Sequence, residues 1–153
     1  MKVVTLVFVH DDQKVLLGYK KRGFGSGRWN GFGGKVEPGE TLEQAARREL
    51  REESGLEAVS LQPKAEIEFT FVDGNHLLCH IFTTQEVVGE PVETEEMRPQ
   101  WYAHHEVPYQ EMWSDDAVWL PHVLAGKTLK AYFEFDSEEG NQFSYHKIDF
   151  INA

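Results

Sequence analysis

A single cysteine, Cys79, in 153 residues leaves no partner for a disulfide. It points to a reducing compartment: the cytoplasm, with nuclear or mitochondrial pools as alternatives. No apolar run is long enough to cross a bilayer. The run Val3–Val9 is far too short, and His10-Asp11-Asp12 follows it where a secretory cleavage site would need small residues. Neither a membrane span nor a signal peptide is therefore expected. Positive charge is in deficit too: 15 Lys and Arg against 26 Asp and Glu give a formal net charge of −11. That balance disfavours binding to nucleic acid or anionic membranes and leaves a small molecule as the expected partner. Low-complexity tracts, internal repeats and linkers are missing, and the 41% hydrophobic content is ordinary for a soluble protein with a real core. The expectation is one domain over 1–153, acting as a monomer.

One local deficit runs the other way. Residues 13–36 contain no acid and six bases: Lys14, Lys20, Lys21, Arg22, Arg28 and Lys35. They stand directly before a carboxylate-rich helix, an order suited to a polyanion held between cations and a metal. A solvated basic hairpin is the alternative for Lys14, Lys21 and Arg22.

What is present is concentrated in Gly34–Leu56, GKVEPGETLEQAARRELREESGL. Thr41 with Gln44 forms a capping box and Gly55 stands where a left-handed C-terminal residue belongs, so the spacing predicts a helix over Thr41–Glu53. On that helix Leu42, Ala45, Ala46 and Leu50 form an apolar stripe. Glu49 and Glu53 project into its middle, Glu52 lies at its edge, and Glu43, Gln44, Arg47, Arg48 and Arg51 take the opposite, solvated face. Burying unpaired carboxylates costs several kcal/mol each, and clustering them adds repulsion. Such a cluster persists when a hard cation sits in it, so the feature reads as a site for Mg²⁺, with Mn²⁺ as the alternative. Ahead of it, Gly31-Phe32-Gly33-Gly34 and Pro38-Gly39 are expected to form a loop whose backbone approaches a ligand closely.

Strands are expected at Val3–Val9 and Lys14–Tyr19, joined by a hairpin at 10–13. Others fall at Trp29–Phe32, Glu66–Val72, Leu77–Val87 and Gln100–Ala103, with Lys130–Asp136 paired to Gln142–Asp149 across Ser137–Asn141. A second helix starts near Ser114 or Asp115 and runs to about Ala125, ended by Gly126, with Pro121 implying a kink or a late start. Two helices on a mixed sheet make an α+β protein. Trp113 offers a face for stacking a flat base, and Phe24 and Phe69 either close the other side or pack in the core. Asn30 carries both a donor and an acceptor. Asp115-Asp116 opens the second helix, where acids suit the dipole. Two adjacent carboxylates beside a Trp also repel, which favours keeping one protonated. Such a pair can offer either hydrogen-bond pattern to a base by moving a proton. His76, His80, His104, His105, His122 and His146 show no ligand spacing.

Gly34, Glu40, Arg48-Glu49-Leu50, Glu52-Glu53 and Gly55-Leu56 together match nine positions of a 23-residue pattern, and the chain resembles the Nudix family through it. Lys20–Lys35, Glu95–Pro99 and Met112–Asp116 extend the likeness to the oxidised-purine nucleoside triphosphatases, the animal MutT homologues. The resemblance implies a Nudix α/β/α sandwich with a mixed sheet and two main helices. It implies hydrolysis of 8-oxo-dGTP and 2-hydroxy-dATP to monophosphate and pyrophosphate, by in-line attack of water at the second phosphorus with Mg²⁺. By the same carry-over Gly33, Glu49, Glu52, Glu53 and Glu96 are metal-site residues. Thr5, Lys20, Asn30, Phe32, Gly33, Gly34, Lys35, Trp113, Ser114, Asp115 and Asp116 belong to the substrate site. The chain departs from the family in its shorter start, in Ser114 and in its 143–153 tail.

Among Glu49, Glu52 and Glu53, Glu53 is the first choice for the proton acceptor because it lies nearest the middle of the stripe, and Glu52 is the alternative. Arg48 joins the catalytic group by bracing Glu49 or Glu52. Two other readings stay open: a Nudix hydrolase acting on ADP-ribose or a dinucleoside polyphosphate, and a non-catalytic nucleotide-binding module. The residues do not rank 8-oxo-dGTP, 2-hydroxy-dATP and N6-methyl-dATP.

Overall fold

The computed structural model describes residues 1–136 and 142–151. Its elements are β1 (Lys2–His10), β2 (Lys14–Lys20), β3 (Trp29–Asn30), β4 (Phe32–Lys35), α1 (Leu42–Ser54), β5 (Glu57–Ala58), β6 (Gln62–Thr70), β7 (His76–Thr84), β8 (Val87–Val88), β9 (Met97–Ala103), α2 (Asp116–Leu124), β10 (Thr128–Phe135) and β11 (Phe143–Ile151). Two single 3₁₀ turns, His104–Glu106 and Tyr109–Glu111, lie between β9 and α2. Among the described residues, nine strands form one sheet in the order β11-β10-β6-β7-β1-β2-β3, with β4 also on β1 and β9 also on β2. The sheet is mixed, since β1 runs parallel to β7 and β6 parallel to β10. No helix among the described residues is long and apolar enough to cross a membrane.

Strand periodicity divides the core between the two faces. Val7, Val9, Leu16, Phe32 and Phe82 pack with Ala46 and Leu50 of α1, while Phe8, Val15, Leu17, Ile67 and Ile81 pack with Trp119, Leu120 and Val123 of α2. Phe8 and Trp119 meet edge to face at 5.8 Å, tying α2 to the central strand. This is the three-layer α/β/α arrangement anticipated above.

Local chemistry sets the boundaries. The capping box forms as expected, with Gln44 N–H donating to Thr41 Oγ1 at 3.1 Å and Thr41 N–H to Gln44 Oε1 at 2.9 Å. Gly55 closes α1 at φ 79°. Asp11 Oδ1 accepts from the N–H of Gln13 and of Lys14, each at 2.8 Å, and so builds the first hairpin. Pro121 lies inside α2, which starts at Asp116.

Several expectations need correction. Gly33 and Gly34 lie in β4, paired with Leu6 and Thr5 of β1, and do not form a loop. A Cβ on Gly33 would stand 1.8 Å from the Thr5 carbonyl oxygen, so the close approach is to the neighbouring strand. The run Leu77–Val87 divides into β7 and β8, and β8 leaves the main sheet to pair with β5. β9 begins at Met97 and runs antiparallel along the whole of β2, longer than its polar sequence suggests. β6 begins at Gln62, with a register irregularity between Pro63 and Ala65 where proline removes a ladder donor. The expected Ser137–Asn141 connection lies outside the described residues.

Gly33→Ala tests the β1–β4 contact. It is expected to cost roughly 3 kcal/mol or more, about 6–12 °C in Tm for a chain of this size. A Tm within the scatter of the parent's would show that β4 can slide off β1.

Candidate active site

Between the α2 face of the sheet and the start of α2 is a cavity of about 180 Å³. Its apolar wall comes from Leu6, Phe69, Phe71, Leu77, Ile81, Trp113, Trp119 and Phe135, and its polar groups are Thr5, Lys20, Asn30, Cys79, Asp115 and Asp116, with Gly33 and Gly34 at one border. Parallel pairing of β1 with β7 places Val4 beside Cys79 and Leu6 beside Ile81, so two distant segments form one wall.

The acidic pair faces this cavity. Asp115 is 2% exposed and Asp116 3%. Neither side chain caps the helix: Asp115 Oδ2 accepts from Trp119 Nε1–H at 2.7 Å, one turn along. Asp116 Oδ2 is buried with no hydrogen-bond partner. Burial raises both carboxyls above the ordinary aspartate range. The Trp119 donor favours ionised Asp115, whereas Asp116 is pushed further up by the charge of Asp115 beside it. The two carboxyls therefore titrate as a pair, above the ordinary aspartate range. Thr5 Oγ1 is a second buried and unpartnered atom on the cavity wall.

Trp113 lies at the mouth. Phe24 is 58% exposed and leans on Trp113 at 5.3 Å, with its edge towards Phe71 at 6.3 Å, so it is a lip of the cavity and no part of the core. Phe69 does both jobs, stacking on Phe133 and Phe135 at 5.9 Å while lining the cavity. Arg28 lies over the Trp113 ring, its guanidinium carbon 4.2 Å from the centroid. Between β2 and β3 the chain turns through Gly25 at φ 83°, where a Cβ would come within 3.2 Å of the Trp113 ring. Asn30 faces the cavity, and its Oδ1 accepts from Gly31 N–H at 2.8 Å, which fixes the side chain.

The carboxylates of α1 lie behind β4. Glu53 is 9% exposed and its Oε1 accepts the Gly33 N–H at 2.9 Å. Burial first, and then the neighbouring charge of Glu49, pushes its carboxyl up to about 8. Burial also raises Glu49, against the pull of Arg48. Arg48 is no solvated-face residue: it pairs bidentately with Glu40 at 2.7 and 3.0 Å, with Glu49 at 3.0 Å and Glu52 at 3.2 Å, and donates to the Lys35 carbonyl at 3.1 Å. Its long arm curls along the helix instead of leaving radially. Glu52 remains largely exposed, and Glu96 is held by Arg22 at 2.8 Å.

Among the described residues no three His, Cys, Asp or Glu groups converge as a ready metal cluster. The donor chemistry nevertheless fits a hard cation. Every candidate atom is oxygen, and buried Glu53 stands beside half-buried Glu49, two like charges whose repulsion a cation would relieve.

The model of the NUDIX domain matches residues 1–123. The chain belongs to the Nudix family. It is 49% identical over 149 residues to the zebrafish (Danio rerio) oxidized purine nucleoside triphosphate hydrolase, covering 97% of this chain and 94% of that one. It is 49% identical over 150 residues to the mouse (Mus musculus) enzyme of the same name, covering 97% and 96%. Among solved structures, a mutator MutT protein from Bacillus halodurans superposes with a TM-score of 0.86 at 26% identity, over 97% of this chain and 98% of that one.

Within this Nudix hydrolase the expected residues fall in two groups. Thr5, Lys20, Phe24, Asn30, Gly33, Gly34, Phe69, Trp113, Asp115 and Asp116 share the cavity, while Arg48, Glu49, Glu52 and Glu53 share α1. Phe32 is a correction: it is fully buried on the α1 face and does not line the cavity. Lys35 is exposed, with its carbonyl taken by Arg48, and Ser114 does not line the cavity either. The basic run disperses. Lys20 enters the cavity wall, Lys21 pairs with Glu93, Arg22 holds Glu95 and Glu96, and Lys14 lies over Trp101 at 4.5 Å. Glu40, the anchor of Arg48, had its signal in the Nudix pattern itself. Cys79, Leu77, Ile81, Phe71, Trp119 and Phe135 had none, since only the folded sheet brings them together.

Proposed function

We propose that this Nudix hydrolase cleaves oxidised purine nucleoside triphosphates, 8-oxo-dGTP and 2-hydroxy-dATP among them, to the monophosphate and pyrophosphate, clearing damaged nucleotides from the pool. The observation that carries this reading is the Asp115–Asp116 pair, buried in an aromatic cavity with one oxygen unpartnered. A buried acceptor of that kind calls for a ligand with donors of its own. An oxidised purine supplies a flat ring for Trp113 and an altered pattern of donors and acceptors. The relatives named above support the substrate class.

Each residue then has a task. The acidic pair takes the base edge, trading one proton between its carboxyls, and Asn30 reads another edge. Lys20, on the cavity wall near β4, steers the phosphates towards α1. Gly33 N–H fixes Glu53 Oε1, which leaves Oε2 to accept a proton from the attacking water. Burial and the charge of Glu49 raise the Glu53 carboxyl, so that once ionised it is a stronger proton acceptor than an ordinary glutamate. Arg48 orients Glu49 and Glu52 and shields part of their charge. A divalent cation, Mg²⁺ or Mn²⁺, would be held by Glu49, Glu52, Glu53, Glu96 and the Gly33 carbonyl, and when bound it neutralises phosphate charge and acidifies water. The lone, buried Cys79 suits a cytoplasmic protein.

A substrate panel tests the reading. Pyrophosphate release is expected to be at least tenfold higher in kcat/KM for 8-oxo-dGTP or 2-hydroxy-dATP than for dGTP, since an unpaired buried polar group costs about 1–3 kcal/mol. N6-methyl-dATP, ADP-ribose and a dinucleoside polyphosphate complete the panel. Faster turnover of either of the last two than of every modified purine would overturn it.

A further inference from the structure

Arg28 is used by none of these steps, yet it is placed to act on two of them. Its guanidinium carbon stands 4.2 Å from the Trp113 ring centroid. Trp113 lines the cavity, so Arg28 reaches the cavity wall through the Trp113 ring. The arginine is partly buried, and its backbone is locked at the neck between β2 and β3, where Lys20 N–H donates to the Arg28 carbonyl at 3.0 Å and Gly27 N–H to the Lys20 carbonyl at 2.8 Å. We propose that Arg28 is a positioning residue of the base pocket, clamping the Trp113 ring as a rigid stacking plate and holding a fixed positive charge at the wall of that pocket. The proposal rests on the purine reading above.

The physical basis is twofold. A guanidinium is planar and is attracted to an indole face, so it fixes the orientation of the ring. The same charge pulls down the Asp116 carboxyl, against burial and the charge of Asp115, which push it up. The other titratable groups that feel the pair are Cys79 on β7 and Tyr109 in the turn before α2, and Lys20, which lines the same cavity, acts on Glu53 instead. The thiol and the phenol are raised by burial and by the aspartates, so both are neutral across the working range. Arg28 is thus a source of positive charge that belongs to the pocket and not to the phosphate end.

Three variants decide it: Arg28→Gln, Arg28→Lys and Trp113→Phe, each assayed on 8-oxo-dGTP and 2-hydroxy-dATP from pH 6 to 10. Arg28→Gln is expected to raise KM roughly tenfold with kcat nearly unchanged, because the plate loosens before chemistry begins. Its alkaline fall in activity should move to higher pH, since Asp116 loses the cation that helped it ionise. Arg28→Lys keeps the charge but lacks the fork; its alkaline limit should stay at the wild-type pH while KM rises a few-fold. In the double variant with Trp113→Phe the KM penalty should be less than additive. A uniform loss of kcat with KM and the pH limit unmoved, or additive penalties with Trp113→Phe, would overturn the role of Arg28 while leaving the substrate reading intact. If wild-type protein turned over neither substrate, the substrate reading would fall and this inference with it. If Arg28→Gln does not fold, wild-type KM in Arg28→Lys is the overturning result.

Discussion

Glu53→Gln is expected to lose roughly a hundredfold or more in turnover while gaining stability without metal. The substitution keeps volume, and the amide oxygen can still accept the Gly33 N–H now taken by Glu53 Oε1 at 2.9 Å. It removes the proton acceptor and one charge from the cluster. A loss below roughly tenfold, about 1.4 kcal/mol of barrier, would exclude Glu53 from both roles and leave Glu52 as the candidate base. Stability gives a separate reading. Burial raises the Glu53 carboxyl from 4.5 to about 8 on folding. A group raised in this way favours the folded state fully below 4.5, and that contribution is lost as pH rises towards 8. At pH 7 the penalty reaches about 3 kcal/mol, at 1.36 kcal/mol per pH unit above 4.5. Wild-type protein in chelator should therefore lose Tm between pH 5 and 8, and Glu53→Gln should flatten that slope. Equal slopes would mean that water reaches Glu53 despite its 9% exposure.

Much of this site was legible in the chain because its chemistry is local. A single helix wheel places Glu49 and Glu53 against Ala45, Ala46 and Leu50, and the fold keeps that order: Glu53 is buried and Glu52 exposed. The acidic pair was legible for the same reason, being two neighbours at the start of a helix. The wheel failed at Arg48 because it treats side chains as radial points. A flexible arginine lies down along the helix when Glu40 and Glu49 await it, and its side chain is only 20% exposed. The apolar cavity was not legible. Cys79 and Ile81 reach Val4 and Leu6 only through a parallel pairing that joins segments more than seventy residues apart. The glycines failed differently. Close approach was the right physics for Gly33, but the partner is the Thr5 carbonyl on the next strand. Sequence shows that a side chain must be absent without showing what takes its place.

Asp115→Asn and Asp116→Asn are expected to diverge, because the two carboxyls are held differently. Asp115 keeps its place by accepting from Trp119 Nε1–H at 2.7 Å, a bond that an asparagine oxygen can preserve. Asp116 has an unpartnered oxygen in the cavity, and burial together with the charge of Asp115 raises its carboxyl. An asparagine offers one donor and one acceptor but cannot exchange a proton, so each variant fixes the hydrogen-bond pattern shown to the base. Asp116→Asn should lose at least tenfold on one of 8-oxo-dGTP and 2-hydroxy-dATP and much less on the other, the loss of one buried hydrogen bond being worth about 1–3 kcal/mol. Asp115→Asn should show a different ratio between the two. Equal losses on both bases in both variants would end the proton-exchange idea. The pH dependence follows from the raised carboxyls. Wild-type activity should fall as pH climbs through the titration of the pair, because the shared proton leaves and two buried negative charges then face the base. Stability should fall over the same range, since a carboxyl raised on folding favours the folded state only while it stays protonated. Asp116→Asn removes one of the two raised carboxyls, so its Tm should decline less than that of wild type between pH 6 and 9. An unchanged decline would place the stability loss elsewhere, with Glu53 the next group to test by the same measurement.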